Sequence, residues 1–405
     1  MRIHIWKGHH SPSILELITR VWCRDDELLI LCPPGVKSFD FRRYLPKGEV
    51  QWHGLAPLPE MVREPVDYPD RPVLGLFTSG TTSGESRLVL YSKANIRASL
   101  AGIQKFFQIE NVDSIFCYPQ PFHTFGLLLG YVQSLELGVP LFTSEGRYTT
   151  AFHAERVTCA QQGLLTLGTP THFLDLLSYM QAQQLPIAQS YSCIIGGASV
   201  SLDLWLKIQR ELRILAPSVG YGASEASPGI AHLPAGQPPK ENGEIGRLIE
   251  GLQVELHPGV GFEFSGPSVC LALIHAERIE FPRKIFISDE IEQRGEDGHF
   301  VFHGRSDFVL NRGGEKISLE AIESFLLQSL GLMGIAVAIP HPRLGQELGL
   351  WVTGTRSAEE VAQALSRQFG ANFDARWIRV VDQLPLNASH KPDRHAILSA
   401  EMKLL

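Results

Sequence analysis

A chain of 405 residues with 44% hydrophobic and 20% charged residues can bury a sizeable core and is expected to divide into two or more domains. Its formal net charge of −7 argues against a general nucleic-acid binder, which needs a surplus of Lys and Arg to neutralise phosphates. No apolar run approaches a membrane span; the richest, Phe125 to Leu137, is interrupted by Gln133 and Glu136.

Residues 1–70 carry little pattern. Met1-Arg2-Ile3-His4-Ile5-Trp6-Lys7 is broken by charge and lacks the apolar stretch of a signal peptide. Leu28-Leu29-Ile30-Leu31 reads as a short buried strand stopped by Pro33-Pro34-Gly35. From Val73 onward apolar strand candidates alternate with amphipathic helix candidates. Val73–Phe77 is followed by a loop of small and hydroxyl residues and a second strand, Leu88–Tyr91. A helical pattern covers Ala94–Phe107; a strand at Leu164–Leu167 precedes a helix over His172–Gln183, and Cys193–Ile195 runs into Gly196-Gly197. Repeated strand–loop–helix units predict an α/β fold: a largely parallel sheet covered by helices, with ligands held in loops at the strands' carboxyl ends. Between Gly243 and Phe302 shorter strands and turns suggest a β-rich subdomain. A small α+β domain is expected to follow, giving a large domain over 1–304 and a small one over 305–405. Within the latter, Ser357-Ala358-Glu359-Glu360 is a capping box that opens a helix. Six cysteines, scattered without a C-x-x-C pair, read as reduced thiols of a cytoplasmic protein.

The most informative segment is Thr78-Ser79-Gly80-Thr81-Thr82-Ser83-Gly84-Glu85-Ser86-Arg87. Small residues let backbone N–H groups approach phosphate oxygens, hydroxyls add donors, and Arg87 adds positive charge. No G-K-S/T closes the loop, so it is not the P-loop of nucleotide hydrolases. Further segments follow in order: Pro121-Phe122-His123-Thr124-Phe125-Gly126, Ile195-Gly196-Gly197-Ala198-Ser199, Tyr221-Gly222-Ala223-Ser224-Glu225, Gly243-Glu244-Ile245-Gly246, and Ile287-Ser288-Asp289. They end with Gly304-Arg305-Ser306-Asp307, Gly313-Gly314-Glu315-Lys316-Ile317 and Leu384-Pro385 through Lys391-Pro392-Asp393-Arg394.

Taken together these segments resemble the adenylate-forming superfamily of acyl-CoA and aryl-CoA ligases, nonribosomal adenylation domains and luciferases. The resemblance runs from about residue 73 to the C-terminus. The family's phosphate loop reads roughly T-S-G-S/T-T-G-x-P-K; here Ser83 is inserted, Ser86 stands for proline and Arg87 for lysine. The resemblance implies that Thr78, Ser79, Gly80, Thr81, Thr82, Gly84 and Arg87 hold the phosphates of ATP, and that His123 lies between ATP and the acyl pocket. It implies that Gly197, Ala198 and Ser199 border the adenine, while Tyr221 and Gly222 carry the stacking face. Ser224 would contact the α-phosphate, Glu225 would hold Mg²⁺, Asp289 would take the ribose hydroxyls, and Arg305 would reach ribose or phosphate. Gly243–Gly246 is a structural turn by the same comparison. Asp307 would be a hinge, and Gly313 and Gly314 would line a tunnel for a pantetheine arm. Lys391 would bridge carboxylate and α-phosphate during adenylation; His390 replaces the family's usual glycine beside it.

The implied activity is ATP-dependent activation of a small carboxylic acid, then acyl transfer to the thiol of coenzyme A or of the phosphopantetheine on an acyl carrier protein. A relative that binds nucleotide or adenylate without turnover is the alternative. Family members have a longer first subdomain ahead of the phosphate loop than residues 1–70 supply, so that subdomain is expected to be shortened. The acid itself is not legible: Phe122, Phe125 and the following leucines suit an apolar acyl group and ordinary core packing equally.

Overall fold

Two β-sheets and their covering helices account for most of the first three hundred residues in a computed structural model of the chain. The structure describes all residues except 8–10, 33–40, 55–65, 80–85, 145–148, 160–161, 277, 296–297, 306–307, 313–314, 342–343, 387–392 and 403–405. At positions 54, 79, 86, 305, 311, 315, 316 and 345 it describes the backbone alone.

The first sheet has seven strands. Four run parallel in the order Glu49–Gly54, Arg2–Lys7, Glu27–Cys32, Pro72–Ser79, with the helix Pro12–Trp22 crossing between the second and third. Ser86–Ser92 returns antiparallel beside Pro72–Ser79, and Ala272–Ile274 and Ile279–Glu280 complete the edge. Ile3, Ile5, Leu28, Ile30, Leu88 and Leu90 close against Phe41 and Phe77, whose rings meet edge to face at 5.1 Å.

The second sheet is parallel through Leu141–Phe142, Ser114–Cys117, Leu164–Gly168, Ser190–Gly196 and Ile214–Gly222. It turns antiparallel at Gly229–His232 and Glu244–Leu248, which pairs with the strand His299–Arg305 at Phe300 and Val301. The three strands Ser114–Cys117, Leu164–Gly168 and Ser190–Gly196 are buried on both faces, in keeping with their apolar runs. Helices Pro170–Ala182 and Leu202–Glu211 place Phe173, Leu176, Trp205 and Ile208 on Cys193 and Ile195. The helix predicted over Ala94–Phe107 spans Lys93–Gln104 instead. It begins at a capping box formed by Ser92 and Asn95, and it stops where Phe106 and Phe107 turn their rings onto the buried His232. Between Glu244 and Arg305 every regular element described is a strand.

His153 and His232 are fully enclosed, and burial lowers each imidazole from about 6.5 to about 3. Between those values the unfolded chain binds protons that the folded chain excludes. Their contribution to stability is therefore full above about pH 6.5 and is lost as pH falls toward 3, with a slope of at most about 1.4 kcal/mol per pH unit for each group. Urea midpoints should fall between pH 7 and pH 4, and His232→Gln should flatten that slope. An equal slope in the variant would refute the assignment.

The chain divides into two compact units: Met1–Glu255 with Glu263–Phe286 and Glu292–Phe302, and Leu256–Phe262 with Ile287–Ile291 and His303–Leu405. The second unit is built on a five-stranded sheet of Val309–Arg312, Glu315–Ser318, Met333–His341, Gly345–Thr353 and Ile378–Val380. Strand alternation sorts its two faces. Ala336, Leu348, Leu350 and Val352 meet Ile322 and Leu326 of the helix Leu319–Leu330 and Val361 and Leu365 of the helix Ala358–Phe369. Ile335, Val337 and Ile339 meet Ile397 of the helix Arg394–Met402 on the other side. The capping box at Ser357 and Glu360 is formed as its sequence predicts.

Candidate active site

The strands Pro72–Ser79 and Ser86–Ser92 are antiparallel partners, with Thr78 opposite Arg87 and Ser79 opposite Ser86. The small-residue loop therefore leaves one strand and re-enters the other at adjacent positions. Gly80, Thr81, Thr82, Ser83 and Gly84 lie outside the described residues. At the base of the loop Arg87 Nε donates to Thr78 Oγ1 at 3.3 Å, and the Arg87 guanidinium forms an ion pair with Glu225.

Glu225 reaches that position from the end of the strand Ile214–Gly222. The strand bulges at Tyr221 and Gly222 and then enters a short 3₁₀ turn, Ser224–Ala226. Gly222 is required there: a Cβ would fall 1.9 Å from the Pro228 carbonyl oxygen. The Glu225 carbonyl accepts the Cys270 N–H at 2.8 Å, and the residue is only 5% exposed. A carboxylate this enclosed needs a compensating charge, and among the described ion pairs Arg87 supplies it.

The hydroxyls of Ser224 and Thr124 share a hydrogen bond of 2.8 Å. Thr124 immediately precedes Phe125–Val132, which is wound as a π-helix. Such wide turns are uncommon and cluster at functional sites. Gly126 lets this turn close, since a Cβ would lie 2.3 Å from the carbonyl oxygens of Pro119 and Gln120. His123 is half-buried, and its carbonyl accepts the Leu127 N–H at 2.8 Å. The Phe125 ring lies 3.3 Å from where a Cβ on Gly196 would sit, so the glycine turn after the strand Ser190–Gly196 abuts the same segment. Gly197 turns with φ +84°, and Gly197, Ala198 and Ser199 are exposed. Tyr221 is half-buried, with its ring 5.8 Å from that of Phe302.

Loops at the carboxyl ends of the strands thus gather Thr78, Arg87, Thr124, Ser224 and Glu225 into one connected set. Thr124 was within reach of the sequence, inside the segment around His123, but only the Ser224 contact reveals its part. Tyr91 lies beneath the set, fully buried; enclosure pushes its phenol well above the ordinary value, so it stays neutral. The donor types suit a magnesium nucleotide: a nearly buried carboxylate for a hard cation, three hydroxyls, and a guanidinium for phosphate oxygens.

Asp289 and Arg305 belong to the second unit. Asp289 opens the strand Asp289–Arg294 and is half-buried; Arg305 ends the strand His299–Arg305. Just before it Gly304 has φ +124°, and a Cβ there would meet Glu320 Oε2 at 2.9 Å. Asp307, Gly313, Gly314, His390 and Lys391 lie outside the described residues.

A profile of the family described as "AMP-binding enzyme" matches residues 34–258, more than half of the chain. The chain belongs to that family. Among curated relatives, an oxalate–CoA ligase of Arabidopsis thaliana is 26% identical over 82% of this chain and 68% of its own length. An acetyl-coenzyme A synthetase of Gamma-proteobacterium EBAC31A08 is 25% identical over 90% of this chain and 63% of its own. Across four further matches of this kind the aligned span is 62–70% of the relative's length. Solved structures agree on the fold. ATP-bound MatB from Rhodopseudomonas palustris superposes with a TM-score of 0.75 at 16% identity, covering 100% of this chain and 90% of that one. The o-succinylbenzoate coenzyme A synthetase MenE of Bacillus subtilis, in complex with ATP and magnesium, gives 0.74 at 16% identity, covering 98% and 89%. The fold of the family, a large α/β domain with a small C-terminal domain, is the fold of this chain.

Proposed function

We propose that this chain activates a carboxylic acid with Mg·ATP and passes the acyl group to the thiol of coenzyme A. The carboxylate oxygen bonds to the α-phosphorus, the bond from that phosphorus to the β-bridging oxygen breaks, and pyrophosphate leaves. The thiolate then attacks the acyl carbonyl, the carbon–oxygen bond to the nucleotide breaks, and AMP leaves. The observation that carries this reading is the joining of Arg87, Thr78, Ser224 and Glu225 at one set of strand ends, within a chain of the AMP-binding family.

In this reading Thr78, Arg87 and the loop residues Ser79, Gly80, Thr81, Thr82 and Gly84 grip the phosphates. Gly197, Ala198, Ser199, Tyr221 and Gly222 bound the adenine, and Asp289 and Arg305 take the ribose. His123 keeps water from the acyl end. Glu225 holds Mg²⁺, which neutralises charge on the phosphates. Lys391 approaches the reacting oxygens for the first step, and rotation about Asp307 brings Gly313 and Gly314 forward for the second. Relatives named as CoA ligases support coenzyme A as acceptor over a carrier protein. Six cysteines outside any disulfide among the described residues support a cytoplasmic setting; no described helix is long and apolar enough to cross a membrane.

ATP–pyrophosphate exchange against fatty, aryl, amino and dicarboxylic acids tests the reading. Acid-dependent exchange is expected, with AMP and a thioester formed once coenzyme A is added. Nucleotide binding without exchange across the panel would favour a non-turnover relative, and release of ADP would exclude adenylation altogether.

A further inference from the structure

The strand Ser86–Ser92 alternates between two environments. Leu88 and Leu90 enter the apolar core shared with Phe77, so Arg87, Val89 and Tyr91 project from the opposite face. Tyr91 thus shares the face from which Arg87 meets Glu225. Backbone bonds stitch the site to this strand. The Leu271 N–H donates to the Leu90 carbonyl at 2.9 Å, and the Cys270 N–H donates to the Glu225 carbonyl at 2.8 Å. The turn Ser224–Ala226 is therefore held beside Tyr91, and Thr124 joins it through the 2.8 Å hydroxyl contact with Ser224.

Beneath these groups the Tyr91 side chain is fully enclosed. Its hydroxyl faces that of Thr124, yet it has no hydrogen-bond partner of ordinary geometry among the described residues. A buried hydroxyl in this state lowers stability, and phenylalanine would fill the same space without that loss. Departures of this kind from good packing gather at functional sites. Burial, with Cys270 and Glu225 adding to it, pushes the phenol well above its ordinary value, so its proton stays in place to be donated.

Each hydroxyl has one proton to give. A phosphate oxygen only accepts, so a Ser224 hydroxyl that touches it must donate there and accept from Thr124. Thr124, having given its own proton to Ser224, can take one from Tyr91. The order Tyr91, Thr124, Ser224, phosphate sends every proton toward the anion.

We propose that Tyr91 is a positioning residue for the first step: once nucleotide is bound, its hydroxyl donates to Thr124 and so fixes Ser224 as a donor to the α-phosphate. The proposal deepens the adenylation reading, on which the contact of Ser224 with phosphate rests. Negative charge grows on the α-phosphate oxygens as the acyl bond forms, so a fixed donor acts on kcat more than on KM for ATP.

Tyr91→Phe removes one oxygen and keeps the ring. Its kcat for pyrophosphate exchange should fall about tenfold, with KM for ATP within about twofold and a urea midpoint at or above that of wild type. Ser224→Ala and the double variant Tyr91→Phe/Ser224→Ala should be equally slow, because the phenol acts only through Ser224. Exchange within about twofold of wild type, a lower midpoint, or losses that multiply in the double variant would each overturn the proposal. The ¹³C signal of the tyrosine Cζ gives a readout free of turnover. In labelled protein, the resonance missing from Tyr91→Phe should shift when Mg²⁺ and α,β-methylene-ATP are added, and Thr124→Val should abolish the shift. No shift in the wild-type protein would overturn the proposal. Absence of exchange in the wild-type protein would instead count against the adenylation reading, and the Cζ signal would still decide the role of Tyr91.

Discussion

Lys391→Ala should lower ATP–pyrophosphate exchange by about 10²- to 10³-fold, while thioester formation from supplied acyl-adenylate changes little. Negative charge grows on the carboxylate and α-phosphate oxygens as the new bond forms, and a compact ammonium placed there acts on the transition state more than on bound substrate. Removing a single well-placed donor of this kind typically costs about 3–4 kcal/mol of barrier. The second step has no such charge to meet at that position, so it should be spared. Equal losses in the two half-reactions would remove Lys391 from the role.

Gly246→Ala is expected to be the most damaging small substitution in the first unit. Gly246 has φ +83°, and a Cβ there would sit 1.9 Å from the His232 carbonyl oxygen and 2.4 Å from the Leu233 nitrogen. Both obstacles are backbone, so neither can rotate away. The strand Glu244–Leu248 would have to part from Gly229–His232, to which it pairs at Ala231 and His232. The left-handed conformation alone costs about 1–3 kcal/mol for a residue with a side chain, and the steric overlap should bring the total above about 4 kcal/mol. Gly259→Ala is the control: it shares a positive φ of +75° but meets nothing within 4 Å, so about 1 kcal/mol is expected. Urea midpoints for the two variants should therefore differ widely; similar midpoints would refute the steric account. The resemblance had marked Gly243–Gly246 as structural, and the geometry gives the reason.

The parallel sheet was legible because its strands announce themselves: Leu164–Leu167 and Cys193–Ile195 are short apolar runs that end in proline or glycine. Of the three strands that the first seventy residues contribute to the first sheet, only Glu27–Cys32 was legible, in the apolar run Leu28–Leu31. Arg2–Lys7 is a strand in which His4 is fully buried, hydrogen-bonded to Glu27 at 3.1 Å and to His53 at 3.0 Å. A polar residue satisfied by partners twenty-three and forty-nine positions away breaks the hydrophobic alternation on which strand recognition depends. Phe125–Val132 hid for the opposite reason. It is enclosed on nearly every side, so no apolar stripe marks its winding. At the site, residue types pointed to nucleotide chemistry, but the pairings of Arg87 with Glu225 and of Thr124 with Ser224 depend on strand register and loop approach. Sequence spacing cannot supply either.

The Arg87–Glu225 pairing complicates the most obvious mutant of the phosphate loop. With the guanidinium deleted, an enclosed anion loses the cation that the described ion pairs place beside it, before any nucleotide arrives. An inactive Arg87→Ala protein would then report a damaged scaffold as readily as a lost grip on phosphate. Only a melting curve measured beside the assay can separate the two. Adding Glu225→Gln to Arg87→Ala removes the uncompensated anion and should restore the melting temperature, with folding and not activity as its readout, since Glu225 is itself proposed to hold Mg²⁺.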